Sequence, residues 1–132
     1  MSENKSVTAR STGTAWQVTL DDGRHQWQSD TVALNGGGDQ AADPESMVLG
    51  ALAACTAITL RMYAARKQWP LQGVEVSVRY AKHDRSGTEI ERKVHLLGDL
   101  DQEQHQAMMV IADKCPIHRM LTGPIEVTSV EN

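Results

Sequence analysis

From Met47 to Ile58 the chain is apolar almost without interruption, and Asp43-Pro44 stands immediately before that run. Aspartate can cap free N–H groups at a helix start, and proline suits the first helical position because its missing N–H costs nothing there. The pattern predicts a helix from Pro44 to about Lys67. Its run is apolar nearly all the way round, unlike the single stripe of a surface helix, so the helix is expected to be buried. Glu45 lies close before the run, and Thr56, Thr59 and Arg61 interrupt it well short of the ~20 apolar residues of a bilayer span. A membrane is therefore not an expected partner. Gly50, Ala51, Ala53 and Ala54 would let another helix approach closely, and in a chain of 132 residues that helix is expected from a second copy.

The remaining elements follow from shorter signals. Residues 6–10, 15–20 and 25–29 read as strands punctuated by Thr12-Gly13 and Asp21-Asp22-Gly23, the second and third forming a hairpin. The glycine-rich stretch 35–40 fits neither a Walker loop nor a dinucleotide fingerprint and reads as a flexible loop. After Trp69-Pro70, Val74, Val76, Val78 and Tyr80 alternate with polar or small residues, the period of a half-buried strand, and Ile90, Val94 and Leu96 continue it across an Asp84-Arg85-Ser86-Gly87 turn. Asp101 opens a second helix whose positions Met108, Ile111, Ala112 and Cys115 fall on one face, so Cys115 is expected to point into the core. Pro116 ends that helix and starts a short turn to Leu121. Gly123-Pro124 then leads to a last strand over 125–130. The expected class is α+β, in one domain spanning 1–132.

Composition narrows the function. A formal charge of −4 and a pI near 5.7 provide no basic field for phosphates, which argues against nucleic acid and anionic membranes. Residues 1–6 lack the charged start and apolar segment of a signal peptide, so a cytoplasmic location is expected. Structural disulfides are rare there, leaving Cys55 and Cys115 as catalytic, redox-sensing or metal-binding thiols, or as buried apolar side chains. Cys115 and His118 form a Cys-x-x-His pair with no further ligand spacing, so no metal is expected. His25, His83, His95 and His105 are scattered. Thiol reactivity needs a thiolate, stabilised by a cation or by oriented N–H groups. On that ground Cys115 ranks first, with Pro116 placing it at a helix start near His118 and Arg119. Cys55 lies mid-helix and must borrow a cation from elsewhere.

Asp43-Pro44-Glu45-Ser46, Cys55 ten residues after Glu45, and Lys114-Cys115-Pro116-Ile117-His118 together resemble the OsmC/Ohr family of thiol-dependent hydroperoxide reductases. Gly23-Arg24-His25-Gln26-Trp27 with Asp30, and the stretch from Cys55 to Tyr63, are similar to a compact OsmC-like subgroup. The resemblance implies a long buried central helix packed on an antiparallel-rich sheet in an intertwined two-fold dimer. It also implies a cofactor-free reduction of organic hydroperoxides, with Cys55 peroxidatic, Cys115 resolving, and an external dithiol of lipoyl type restoring both. Glu45 corresponds to the glutamate that orients an arginine at the thiolate. No arginine lies between Ala33 and Glu45, where the OsmC branch carries it, so Arg24 is the candidate and Arg10 the reserve.

Blander readings stand beside these. Cys55 would be a core thiol, Glu45 a favourable charge at a helix start, Arg24 a hairpin-edge cation, and the whole protein a redox sensor or a binder of small apolar molecules. Ten residues of helix put Glu45 about 15 Å from Cys55 along the axis. A backward bend, a bridging arginine or Glu45 of a second copy must close that gap.

Overall fold

A computed structural model describes residues 5–132; the reading of an absent signal peptide rests on residues 1–6 and so falls mostly outside the described residues. The chain forms two compact units, one up to Val48 and one from Leu49 onward.

The first unit holds a three-stranded antiparallel sheet of β1 (Thr8–Ser11), β2 (Val18–Asp21) and β3 (Gln26–Ser29) in the order β1-β2-β3. The hairpin of β2 and β3 pairs Val18 with Ser29 and Asp21 with Gln26, as the Asp-Asp-Gly turn predicts. Asp22 builds that turn: its Oδ1 accepts the N–H groups of Arg24 and His25 at 2.8 and 2.6 Å. These two donors hold the Asp22 carboxyl down at about 2.

The glycine-rich stretch is more ordered than the sequence implies. A 3-10 turn, Ala33–Asn35, closes on Gly36 in the left-handed region at φ 86°, where glycine is at ease. The buried carboxylate of Asp30 then gathers the loop, accepting the N–H groups of Thr31 at 2.7 Å and Gln40 at 3.3 Å. A β-carbon on Gly37 would overlap the Thr31 carbonyl, so this backbone approach requires glycine. A polar clip supplies the anchor that apolar patterning could not reveal.

Helix α1 (Pro44–Lys67) has the bounds its start signal and composition predict. The second unit joins it to the long hairpin β4 (Leu71–Asp84) and β5 (Gly87–Gly98), then to α2 (Gln102–Ala112) and α3 (Pro116–Thr122). In the hairpin Val74 faces Leu96, Val76 faces Val94 and Val78 faces Arg92. Asp101 and Gln104 start α2 with a reciprocal capping box, at 2.8 and 2.9 Å. Leu60, Ala64, Leu71, Met108 and Ala112 form the core, with Tyr63, Trp69, Val74, Val94 and Leu96 packed around it. Tyr63 and Trp69 meet edge to face at 5.5 Å. Leu60→Ala removes a fully buried side chain from this centre and is expected to cost about 2–5 kcal/mol, read from urea unfolding.

Two expectations need correction, and a third is met in part. Within the single chain helix α1 buries only the stripe Leu52, Thr56, Leu60 and Ala64, one residue per turn, because the core contacts it from one side. Ala51, Ala54, Ile58 and Met62 on the opposite face are exposed. By length and composition α1 could cross a membrane, its most apolar window having a mean hydropathy of 1.5 and 22% of its residues buried. Cys115 is fully buried, yet it does not ride on α2, which ends at Ala112; it begins α3. Residues 125–130 form no strand, and Ile125, Val127 and Val130 stay exposed, because within this chain the segment pairs with no sheet edge.

Candidate active site

The sequence's two cysteines come together in the second unit. Cys55 projects half-buried from α1 beside the core stripe, and Cys115 occupies the N-cap of α3, sixty positions later. Pro116 makes that placement: it cannot continue α2, and it is suited to open a new helix one residue after the cysteine. With extended backbone angles, Cys115 turns its sulfur back over the first turn of α3, where Sγ accepts the His118 N–H at 3.3 Å. Both cysteines are free thiols, near enough that each bears on the ionisation of the other.

Around Cys115 lies a polar set. Thr56, fully buried on α1, places Oγ1 3.8 Å from Cys115 Sγ while donating its hydroxyl proton to the Leu52 carbonyl at 2.7 Å. Arg92 reaches in from β5. Its Nη1 donates to Thr56 Oγ1 at 3.1 Å and its Nη2 to Asp113 Oδ1 at 2.7 Å, with the side chain only 10% exposed. Asp113 Oδ1 also lies 3.9 Å from His118 Nδ1. A cavity of about 360 Å³ opens beside this set, with Arg92, Asp113 and His118 on its polar side and Leu52, Ile90 and Met109 on its apolar side.

The two thiols are driven in opposite directions. Burial pushes Cys55 up, reinforced by its role as donor to Cys115 and only partly offset by the Ile117 N–H and the Thr59 hydroxyl. Burial also acts on Cys115, but the His118 N–H, the Cys55 thiol, the Thr56 hydroxyl and the Arg92 charge together hold it below its ordinary value. Residue chemistry in the sequence ranks the thiols in this order. Chemically, the arrangement can keep one sulfur anionic against its neighbour and can close a disulfide between them.

The other sequence candidates belong to the first unit. Arg24 is exposed in the β2–β3 turn, Arg10 pairs with Thr19 across the β1–β2 ladder, and Glu45 stands in the first turn of α1. Arg92, Thr56 and Asp113 were not foreseen. Arg92 left a signal: it shares strand parity with Ile90, Val94 and Leu96, a charge in an apolar register. Among the described residues no cluster of three or more histidine, cysteine or acidic side chains could hold a metal.

Residues 36–130 match the family model described as OsmC-like protein. Comparison with curated protein sequences returns no match. Among solved structures, the chain is similar to an OsmC-like protein from Mycoplasma pneumoniae, with TM-score 0.79 and 18% identity over 93% of this chain and 90% of that one. It is similar to an organic hydroperoxide resistance protein OsmC from Legionella pneumophila, with TM-score 0.69 and 21% identity over 92% and 90% of the two chains. The organic hydroperoxide resistance protein OhrB of Bacillus subtilis matches with TM-score 0.62 and 27% identity over 92% of each chain.

Proposed function

The chain belongs to the OsmC-like protein family, and from that premise we propose that it is a thiol peroxidase reducing organic hydroperoxides in the cytoplasm. The observation that carries this reading is the meeting of two free thiols, sixty positions apart, in unequal electrostatic surroundings, with an amphipathic cavity lined by Arg92, Asp113 and His118 from the polar set around Cys115. Cys55 thiolate attacks the distal peroxide oxygen, the O–O bond breaks, and the alkoxide leaves as alcohol after taking up a proton. Cys55 is thereby oxidised to sulfenic acid. Cys115 sulfur then attacks Cys55 sulfur, the S–OH bond breaks, and water departs with the proton that the Cys115 thiol gave up. An external dithiol, of lipoyl type in this proposal, reduces the disulfide and is itself oxidised. The apolar side of the cavity favours alkyl hydroperoxides, whose organic group leaves water on binding.

Cys55 still needs a cation. We assign that role to Arg24, with Glu45 to orient it and Arg10 as the reserve, supplied within a homodimer. Glu45 and Cys55 lie ten residues apart on one helix, a spacing that favours a second copy as the source of Glu45. The exposed Ala51-Ala54-Ile58-Met62 stripe and the unpaired segment 125–130 are surfaces such a copy would cover.

Equimolar cumene hydroperoxide added to the reduced protein is expected to lower the intact mass by two hydrogens. With dihydrolipoamide present, peroxide consumption should continue for many equivalents. The raised Cys55 thiol favours one rival, a redox sensor, for which disulfide would form without sustained turnover.

A further inference from the structure

Arg92 is nine-tenths buried, carries a full charge, and commits one N–H of each terminal nitrogen to Thr56 and Asp113. Such a group is costly to take out of water, so its fixed position against Thr56 needs a physical account. Thr56 supplies one. A hydroxyl has one proton and two acceptor lone pairs. Arg92 fills one lone pair from 3.1 Å, the proton goes to the Leu52 carbonyl at 2.7 Å, and Cys115 sulfur lies 3.8 Å away on the remaining side.

We propose that Arg92 is a positioning residue that acts through Thr56 to hold Cys115 as the attacking thiolate. While Cys115 is protonated, Thr56 keeps its proton on Leu52 and can accept from the thiol. When the sulfur becomes anionic, rotation about the Thr56 Cβ–Oγ bond turns the same proton onto Sγ. Arg92 withdraws electron density from the hydroxyl oxygen and so makes it a stronger donor. The Leu52 carbonyl, already in the α1 ladder, loses only a second partner. Asp113 fixes the far side of the guanidinium, and a lysine could not span both acceptors because it lacks the planar fork. The charged and titratable groups facing Cys115 are Cys55 from α1, Arg92 from β5, Asp113 from the end of α2 and His118 from α3. Of these, the Arg92 cation, the His118 backbone N–H and the Cys55 thiol favour the anion, joined by the Thr56 hydroxyl, and Asp113 opposes it from beyond Arg92.

The thiolate property stands independently of turnover, whereas its use in the resolving step rests on the function proposed above. The test separates them. In the full chain carrying Cys55→Ser, so that Cys115 is the one remaining thiol, thiolate absorbance at 240 nm is titrated against pH. Arg92→Gln and Thr56→Val are each expected to raise the Cys115 midpoint by about one pH unit or more, roughly a tenfold loss of thiolate at a fixed pH below it. Combining the two should raise the midpoint by less than the sum of the single shifts, because the part of the Arg92 effect that passes through Thr56 is lost only once. Thr56→Ser keeps the hydroxyl and should restore the parent midpoint, which separates loss of the relay from loss of folding. A midpoint unmoved by Thr56→Val overturns the relay, as does full additivity of the pair. Peroxide turnover absent from the parent protein, with these midpoint shifts intact, would overturn the peroxidase reading and leave this inference standing.

Discussion

Cys55→Ser is expected to abolish dithiol-dependent hydroperoxide turnover, by about 10³-fold or more, whereas Cys115→Ser should leave a single fast equivalent and then stop. The asymmetry follows from what each sulfur does. Serine's hydroxyl is not ionised near neutral pH, so nothing at position 55 could displace an alkoxide from the peroxide. At position 115 the loss comes later. Cys55 would still be oxidised once, but its sulfenic acid would have no neighbour to condense with, and intact mass should show one added oxygen in place of two lost hydrogens. The pH dependence of that first equivalent reports Cys55 itself. Only the thiolate attacks, so the rate rises with pH through the Cys55 value. Burial and donation to Cys115 place this inflection above the ordinary thiol range in the single chain. An arginine supplied by a second copy would bring it down. Stopped-flow measurement across pH 6–10, with the parent and with Arg24→Gln, distinguishes the cases: an inflection that rises in the variant supports Arg24, and an unmoved one sinks it. A first equivalent lost in Cys115→Ser and kept in Cys55→Ser would reverse the roles given to them.

The site was legible where chemistry and local geometry coincide in the chain. Asp43-Pro44 fixed the start of α1, and Cys115-Pro116 marked the start of α3 before any contact was visible. The i, i+3, i+4, i+7 spacing gave the right burial for Cys115 for the wrong reason. Pro116 ends α2 early, and the sulfur is buried by its N-cap geometry, not by a helix face. Arg92 and Thr56 escaped because their meaning depends on each other across 36 positions of sequence. A threonine in an alanine-rich helix reads as an interruption, and an arginine in a strand reads as a solvated charge. Only the packing of β5 against α1 turns them into a pair. The ordered glycine loop escaped for a like reason, since the Asp30 clip is a side-chain-to-backbone contact that leaves no periodic trace.

Ile58→Glu is expected to convert the proposed dimer into monomer and to remove the proposed peroxidase turnover with it. Ile58 is 58% exposed in the single chain and lies in line with Ala51, Ala54 and Met62, opposite the stripe that faces the core. Successive members fall three, four and four residues apart, the spacing of a helix-packing seam, and the alanines let two backbones approach closely. A glutamate placed in that seam would lose much of its water, a penalty on the order of several kcal/mol. At 1.4 kcal/mol per factor of ten, that weakens association by about 10²–10³-fold even before both copies are counted. Sedimentation equilibrium of parent and variant measures it directly. The same face is apolar enough that lipid is its competing occupant, since α1 passes the length and hydropathy test for a bilayer span. The two occupants differ in a measurable way. A second copy predicts a soluble parent of twice the chain mass that ignores phosphatidylcholine vesicles, while lipid predicts a parent that floats with them and a variant that does not. Loss of turnover in the monomeric variant, with Cys55 and Cys115 still able to form their disulfide on mild oxidation, would show that the partner contributes to peroxide attack and is dispensable for resolution.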